Sequence, residues 1–102
     1  MSERDTAFFD RADAFIRIAN EQMEKGTAAG EVSASFMYGL ARYTAWFSAS
    51  GWTQSKDMSD AKQETIDFFV KEYRQMLEMN MDDYIQNFDQ YIQVSEELKQ
   101  KG

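Results

Sequence analysis

Apolar residues recur along this chain at three- and four-residue intervals, the period of an α-helix rather than the two-residue alternation of a strand. In the first such segment, Phe8, Phe9, Ala12, Phe15, Ile16, Ala19 and Met23 fall in an arc of roughly 120°. Asp10, Asp13, Arg17, Glu21 and Glu24 lie on the other side. The pattern predicts an amphipathic helix stopping at Gly26, since glycine adopts the left-handed cap conformation without a Cβ clash. A second helix is predicted from about Gly30 to Ser50, with Val32, Phe36, Leu40, Tyr43 and Phe47 as a core ridge and Trp46 at its edge. On another side Ala34, Ala41, Ala45 and Ser48 form a small-residue stripe, which suggests a second neighbouring helix. Gly51 reads as the left-handed end of this helix, placing Trp52 to fold back over Phe47 or Trp46.

The polar stretch TQSKDMSD reads as a connection, with Asp57 or Ser59 capping a third helix. The core face of that helix is Ile66, Phe69, Val70, Tyr73, Met76 and Leu77. At MNMDD the reading is a break, with Asn80 left-handed and Asp82 capping the next helical segment; one continuous long helix is the alternative. The last segment aligns Tyr84, Ile85, Phe88, Tyr91, Ile92, Ser95 and Leu98. These segments predict an all-α fold, a small bundle of three to four amphipathic helices with mostly antiparallel neighbours, forming one helical domain over residues 1–102.

Composition agrees with helix: proline is absent and Ala, Glu, Gln, Met, Lys and Arg are plentiful. At 102 residues there is room for one hydrophobic core. The net charge of -7 is uneven, for residues 57–102 hold eleven acidic against five basic residues. Such a surface repels nucleic acid and anionic membrane, which bind through Lys and Arg clusters, so no direct nucleic-acid or membrane partner is expected. Without cysteine there is no disulfide or thiolate site, the N-terminus lacks a signal-peptide pattern, and a cytoplasmic location is the simplest expectation.

The absence of histidine removes the usual general base at neutral pH and the commonest metal ligand. No phosphate-binding glycine loop is present. Carboxylate chemistry remains: ExxE at Glu21 and Glu24 with ExxD at Glu64 and Asp67 resembles the Mg²⁺ site of all-α nucleotide pyrophosphohydrolases. Against this, both pairs lie opposite the apolar faces, where acid pairs at helical spacing serve solvation. No catalytic residue and no cofactor is assigned. Aromatic stacking on nucleic-acid bases would require a basic groove, which is missing. Ile18, Tyr38 and Phe68 fall off their helices' apolar arcs and, with Trp46, are the candidates for a partner surface.

At RADAFIRIANEQ, SASFMYGLARYTAWFSAS and YRQMLEMNMDDYIQNFDQY the chain resembles a bacterial family of small helical proteins catalogued as domain of unknown function 3144. The resemblance covers most of the chain and implies a bacterial, helical, single-domain protein, with no catalytic residue to carry over. The expected function is that of a small acidic, non-catalytic interaction or structural module that self-associates, with the homodimer favoured. The alternatives are the Mg²⁺-dependent enzyme and an acidic decoy for a basic nucleic-acid-binding protein.

Overall fold

The computed structural model describes residues 5–93, and every regular element among them is helical. In chain order these are α1 (Thr6–Glu24), α2 (Ala29–Ala49), α3 (Ser55–Asp60), α4 (Lys62–Gln86) and a π-helical turn (Asp89–Gln93). Two compact units divide the chain, Met1–Thr53 and Gln54–Gly102.

In the first unit, α1 starts where the Asp5 carboxylate accepts a hydrogen bond from the Phe8 amide at 2.9 Å, satisfying one of the unpaired donors of the first turn. It ends at Gly26 as the sequence predicts. Gly26 has φ +109°, its amide donates to the Met23 carbonyl at 2.9 Å, and the Thr27 amide reaches the Gln22 carbonyl at 3.2 Å. Those two bonds are the Schellman closure, which consumes carbonyls the helix end would otherwise leave open. A short connection then leads into α2, and the two helices meet close to it.

The other end of α2 corrects the sequence reading. Gly51 is not left-handed; Gly26 alone has positive φ among the described glycines. The Ser50 amide donates to Trp46, the Gly51 amide to Ser48 and the Trp52 amide to Ala49, while the Ser50 hydroxyl donates to the Phe47 carbonyl at 2.7 Å. Serine and tightened three-residue turns therefore use up the terminal carbonyls, and no left-handed residue is needed. The ring of Trp46 lies 5.5 Å from that of Tyr43.

In the second unit, the stretch read as a polar connection contains α3, supported by the Lys56 to Asp60 ion pair at 3.2 Å. Neither Asp57 nor Ser59 caps α4. The two helices join at Ala61, whose φ of -92° and ψ of 1° interrupt the helix for one residue while the Thr65 amide still reaches the Ala61 carbonyl. The predicted break at MNMDD is absent, since α4 runs through it unbroken. Asn80 donates its side-chain amide to the Met76 carbonyl at 2.8 Å, a bond back to the preceding turn that is compatible with helix. Asp82 accordingly lies inside a helix. The last segment splits at Asn87: Tyr84 and Ile85 belong to α4, Tyr91 and Ile92 to the π turn, and Ser95 and Leu98 lie outside the described residues.

The predicted apolar arcs exist, and most of their described residues are open to solvent. Among the described residues Val32 alone is a buried hydrophobic, at 5% exposure. Phe15, Leu40, Tyr43 and Phe47, expected inside, are more than half exposed. Periodicity states which side chains share a face; it does not state what covers that face.

Candidate interaction surface

Helix α2 is the least polar element of the chain. Its 21 residues include one acidic and one basic side chain, Glu31 and Arg42. Glu31 lies in the first turn, where the positive end of the helix dipole favours it. The large apolar residues are not confined to one stripe: at about 100° per residue, Met37 and Tyr38 lie well away from the side that holds Tyr43 and Trp46. All four are exposed, as are Phe36, Leu40 and Phe47. A helix that is apolar all round belongs in an interior. This one meets α1 only near their connection.

Five of these side chains, Phe36, Leu40, Tyr43, Trp46 and Phe47, gather within an arc of roughly 120°. Tyr43 and Trp46 rings lie 5.5 Å apart at 43°, so two of the ridge's aromatic rings are in contact. Gly39 falls inside the same arc. A Cβ placed on it would meet nothing within 4 Å. The small-residue stripe is a separate side, on which Ser48 is half-buried while Ala34, Ala41 and Ala45 are exposed.

The four residues selected from sequence as partner contacts are all exposed: Ile18 at 55%, Tyr38 at 68%, Trp46 at 60% and Phe68 at 56%. Ile18 is on α1 and Phe68 on α4, where Phe68 sets its ring edge-on to Phe69 at 5.0 Å. Exposure separates these four from the residues read as core only in part: Phe15, Tyr43 and Phe47 are as open, whereas Val32 is buried and Phe8 and Phe69 are half-buried. Sequence reasoning treated the ridge of α2 as interior, and the signal available was the near absence of charge over 21 residues.

The acidic candidates divide between the two units, Glu21 and Glu24 on α1 and Glu64 and Asp67 on α4. Asp67 accepts a hydrogen bond from the Gln63 side-chain amide at 3.0 Å. Among the described residues no three acidic side chains gather into a cation site.

One polar cluster was not anticipated. Asp83 receives the Tyr91 hydroxyl on Oδ2 at 3.0 Å and the Asn87 side-chain amide on Oδ1 at 2.9 Å, and the Tyr84 and Tyr91 rings lie 4.5 Å apart. The bond to Asp83, with the charge of that carboxylate, holds the Tyr91 phenol above its ordinary value. The spacing 83, 87 and 91 is the four-residue helical step that was legible in the sequence. The cluster fastens the π turn to α4. A hollow of about 300 Å³ beside it is lined by the consecutive residues Ile85 to Gln90, the end of one helix rather than a cleft between elements.

Among the described residues no helix is long and apolar enough to cross a membrane. A family model described as a protein of unknown function, DUF3144, matches residues 8–85. The chain is also similar to a solved structure, the NMR structure of the protein NB7890A from Shewanella sp. The identity is 45%, 88% of this chain and 95% of that chain are covered, and the TM-score is 0.74. No curated protein matches.

Proposed function

This chain belongs to the DUF3144 family, and from its surface we propose that it is a non-catalytic helical module that works by self-association, most simply as a homodimer. The observation that carries this is α2, a 21-residue helix with two charges and seven exposed large apolar side chains, five of them on one ridge. Monomeric proteins rarely leave contiguous apolar patches of more than a few hundred Å² open to water. Association would let the segments act as one small bundle of antiparallel helices and one cooperative domain. An acidic exterior without a basic cluster suits a cytoplasmic protein that avoids nucleic acid and anionic lipid.

The reading is tested by sedimentation equilibrium and light scattering across a concentration series. Reversible dimerisation at micromolar protein is expected. A strictly monomeric chain at millimolar concentration refutes it.

A further inference from the structure

We propose that a second copy of this chain docks on the Phe36, Leu40, Tyr43, Trp46 and Phe47 ridge of α2, the two α2 helices crossing where Gly39 brings their backbones close. This deepens the self-association reading and rests on it; it names the surface and the occupant.

Area supports a second copy. The five side chains are exposed at 43, 51, 64, 60 and 59%. At roughly 200 Å² for each such side chain, they offer about 550 Å² of mostly apolar surface per copy. A standard interface buries about 800 Å² per partner, of which homodimers make about 65% apolar, or about 520 Å². The ridge therefore supplies the apolar part of such an interface on its own.

Charge separates α2 from the competing helix. Around α2, Arg42 and Glu31 lie roughly 100° to 120° from the centre of the ridge, so its charge is confined to one flank. On α4, six acidic residues stand against three basic ones. Packed helices lie 8–10 Å apart, about one screening length at physiological salt, so the net negative charge of α4 weighs against pairing two copies of it.

Gly39 is the independent observation. Glycine is the poorest helix former after proline, yet it occupies the middle of α2. Among the described residues nothing crowds it, because a Cβ there would meet no atom within 4 Å. A glycine inside an apolar ridge lets another backbone come close, and a partner helix provides the reason.

The test is a graded series, Gly39→Ala and Gly39→Leu, with Leu77→Lys on α4 as the control. Dimer affinity is read by sedimentation equilibrium and helix content by circular dichroism. Both Gly39 substitutions raise intrinsic helix propensity, so an effect on folding alone strengthens or preserves the dimer. Docking at Gly39 predicts the opposite: affinity falls from Gly to Ala to Leu, with Gly39→Leu weakened roughly thirtyfold or more and Leu77→Lys changed by less than about threefold. A flat or reversed order overturns the proposal, as does a dimer lost in Leu77→Lys and kept in Gly39→Leu. A wild-type chain that is monomeric throughout refutes self-association itself, and the two failures are thereby distinct.

Discussion

Gly26 and Gly51 occupy equivalent places, each just past a long helix, and substituting each with alanine should give opposite results. At Gly26 the backbone has φ +109°, and an added Cβ would meet nothing within 4 Å. Crowding is thus absent and the whole cost is conformational, about 1–2 kcal/mol for an L-residue held at positive φ. For a chain of about this size each kcal/mol moves Tm by about 4–8 °C, so Gly26→Ala should melt roughly 4–16 °C lower. At Gly51 the backbone is not left-handed, and the nearest atom to an added Cβ is the Ser48 carbonyl oxygen at 3.6 Å, an ordinary contact. Alanine there restricts the unfolded chain without straining the folded one, so Gly51→Ala should be neutral or stabilising by up to about 1 kcal/mol. Urea and thermal unfolding followed at 222 nm, all at one protein concentration because association shifts Tm, measure both. An equal loss in the two variants would sink the reasoning, since it would make Gly51 a left-handed cap as well.

The Asn80 side chain bonds back to the Met76 carbonyl inside a continuous helix, so Asn80→Ala should keep or slightly raise helicity, by about 0.6 kcal/mol at most; a loss of about 1 kcal/mol would restore the break. Tyr91 should ionise above the ordinary phenol value of about 10, read by absorbance at 295 nm as wild type minus Tyr91→Phe. Because its folded value is raised, the stability its bond to Asp83 contributes is whole below about pH 10 and vanishes as pH climbs through the raised value. A Tyr91 titrating at or below the unfolded value would contradict the bond to Asp83. Millimolar Mg²⁺ should leave Tm of wild type and of Glu64→Gln equally unmoved, and a shift confined to wild type would revive the carboxylate enzyme.

Helix type and the position of α1 and α2 were legible because both signals are local. A 3.6-residue apolar period and a glycine after Met23 act within a turn or two, and α2 was placed to within a residue at each end. The misplaced features turn on choices between local hydrogen bonds of similar worth. Asn80 can cap or bond back one turn, and at the end of α2 the Ser50 hydroxyl took the Phe47 carbonyl. α3 was hidden by its polarity, for a six-residue helix joined by Lys56 and Asp60 has no apolar stripe to announce it. The ridge of α2 was found as a set of residues but assigned to an interior, since a helical wheel is the same for a face covered by the same chain and one covered by another.

The dependence of Tm on protein concentration separates the two cases. If the ridge is closed by a second copy, folding and assembly are one equilibrium, and Tm must rise with protein concentration. If the chain closes its own apolar faces, Tm is independent of concentration. For a dimer that unfolds to two separate chains, each tenfold increase in concentration adds about 1.4 kcal/mol per mole of dimer to its stability, the same factor that relates a tenfold change in an equilibrium constant to free energy. Spread over two chains of about 100 residues, whose unfolding entropy is about 2.1 cal/mol/K per residue, this is a rise of roughly 3 °C per decade. Calorimetry from 5 to 500 μM should therefore show Tm rising by about 6 °C in wild type, and by much less in Gly39→Leu. A Tm constant across that range would mean that α2 is covered from within its own chain, and the exposed ridge would then lose its claim as an interface.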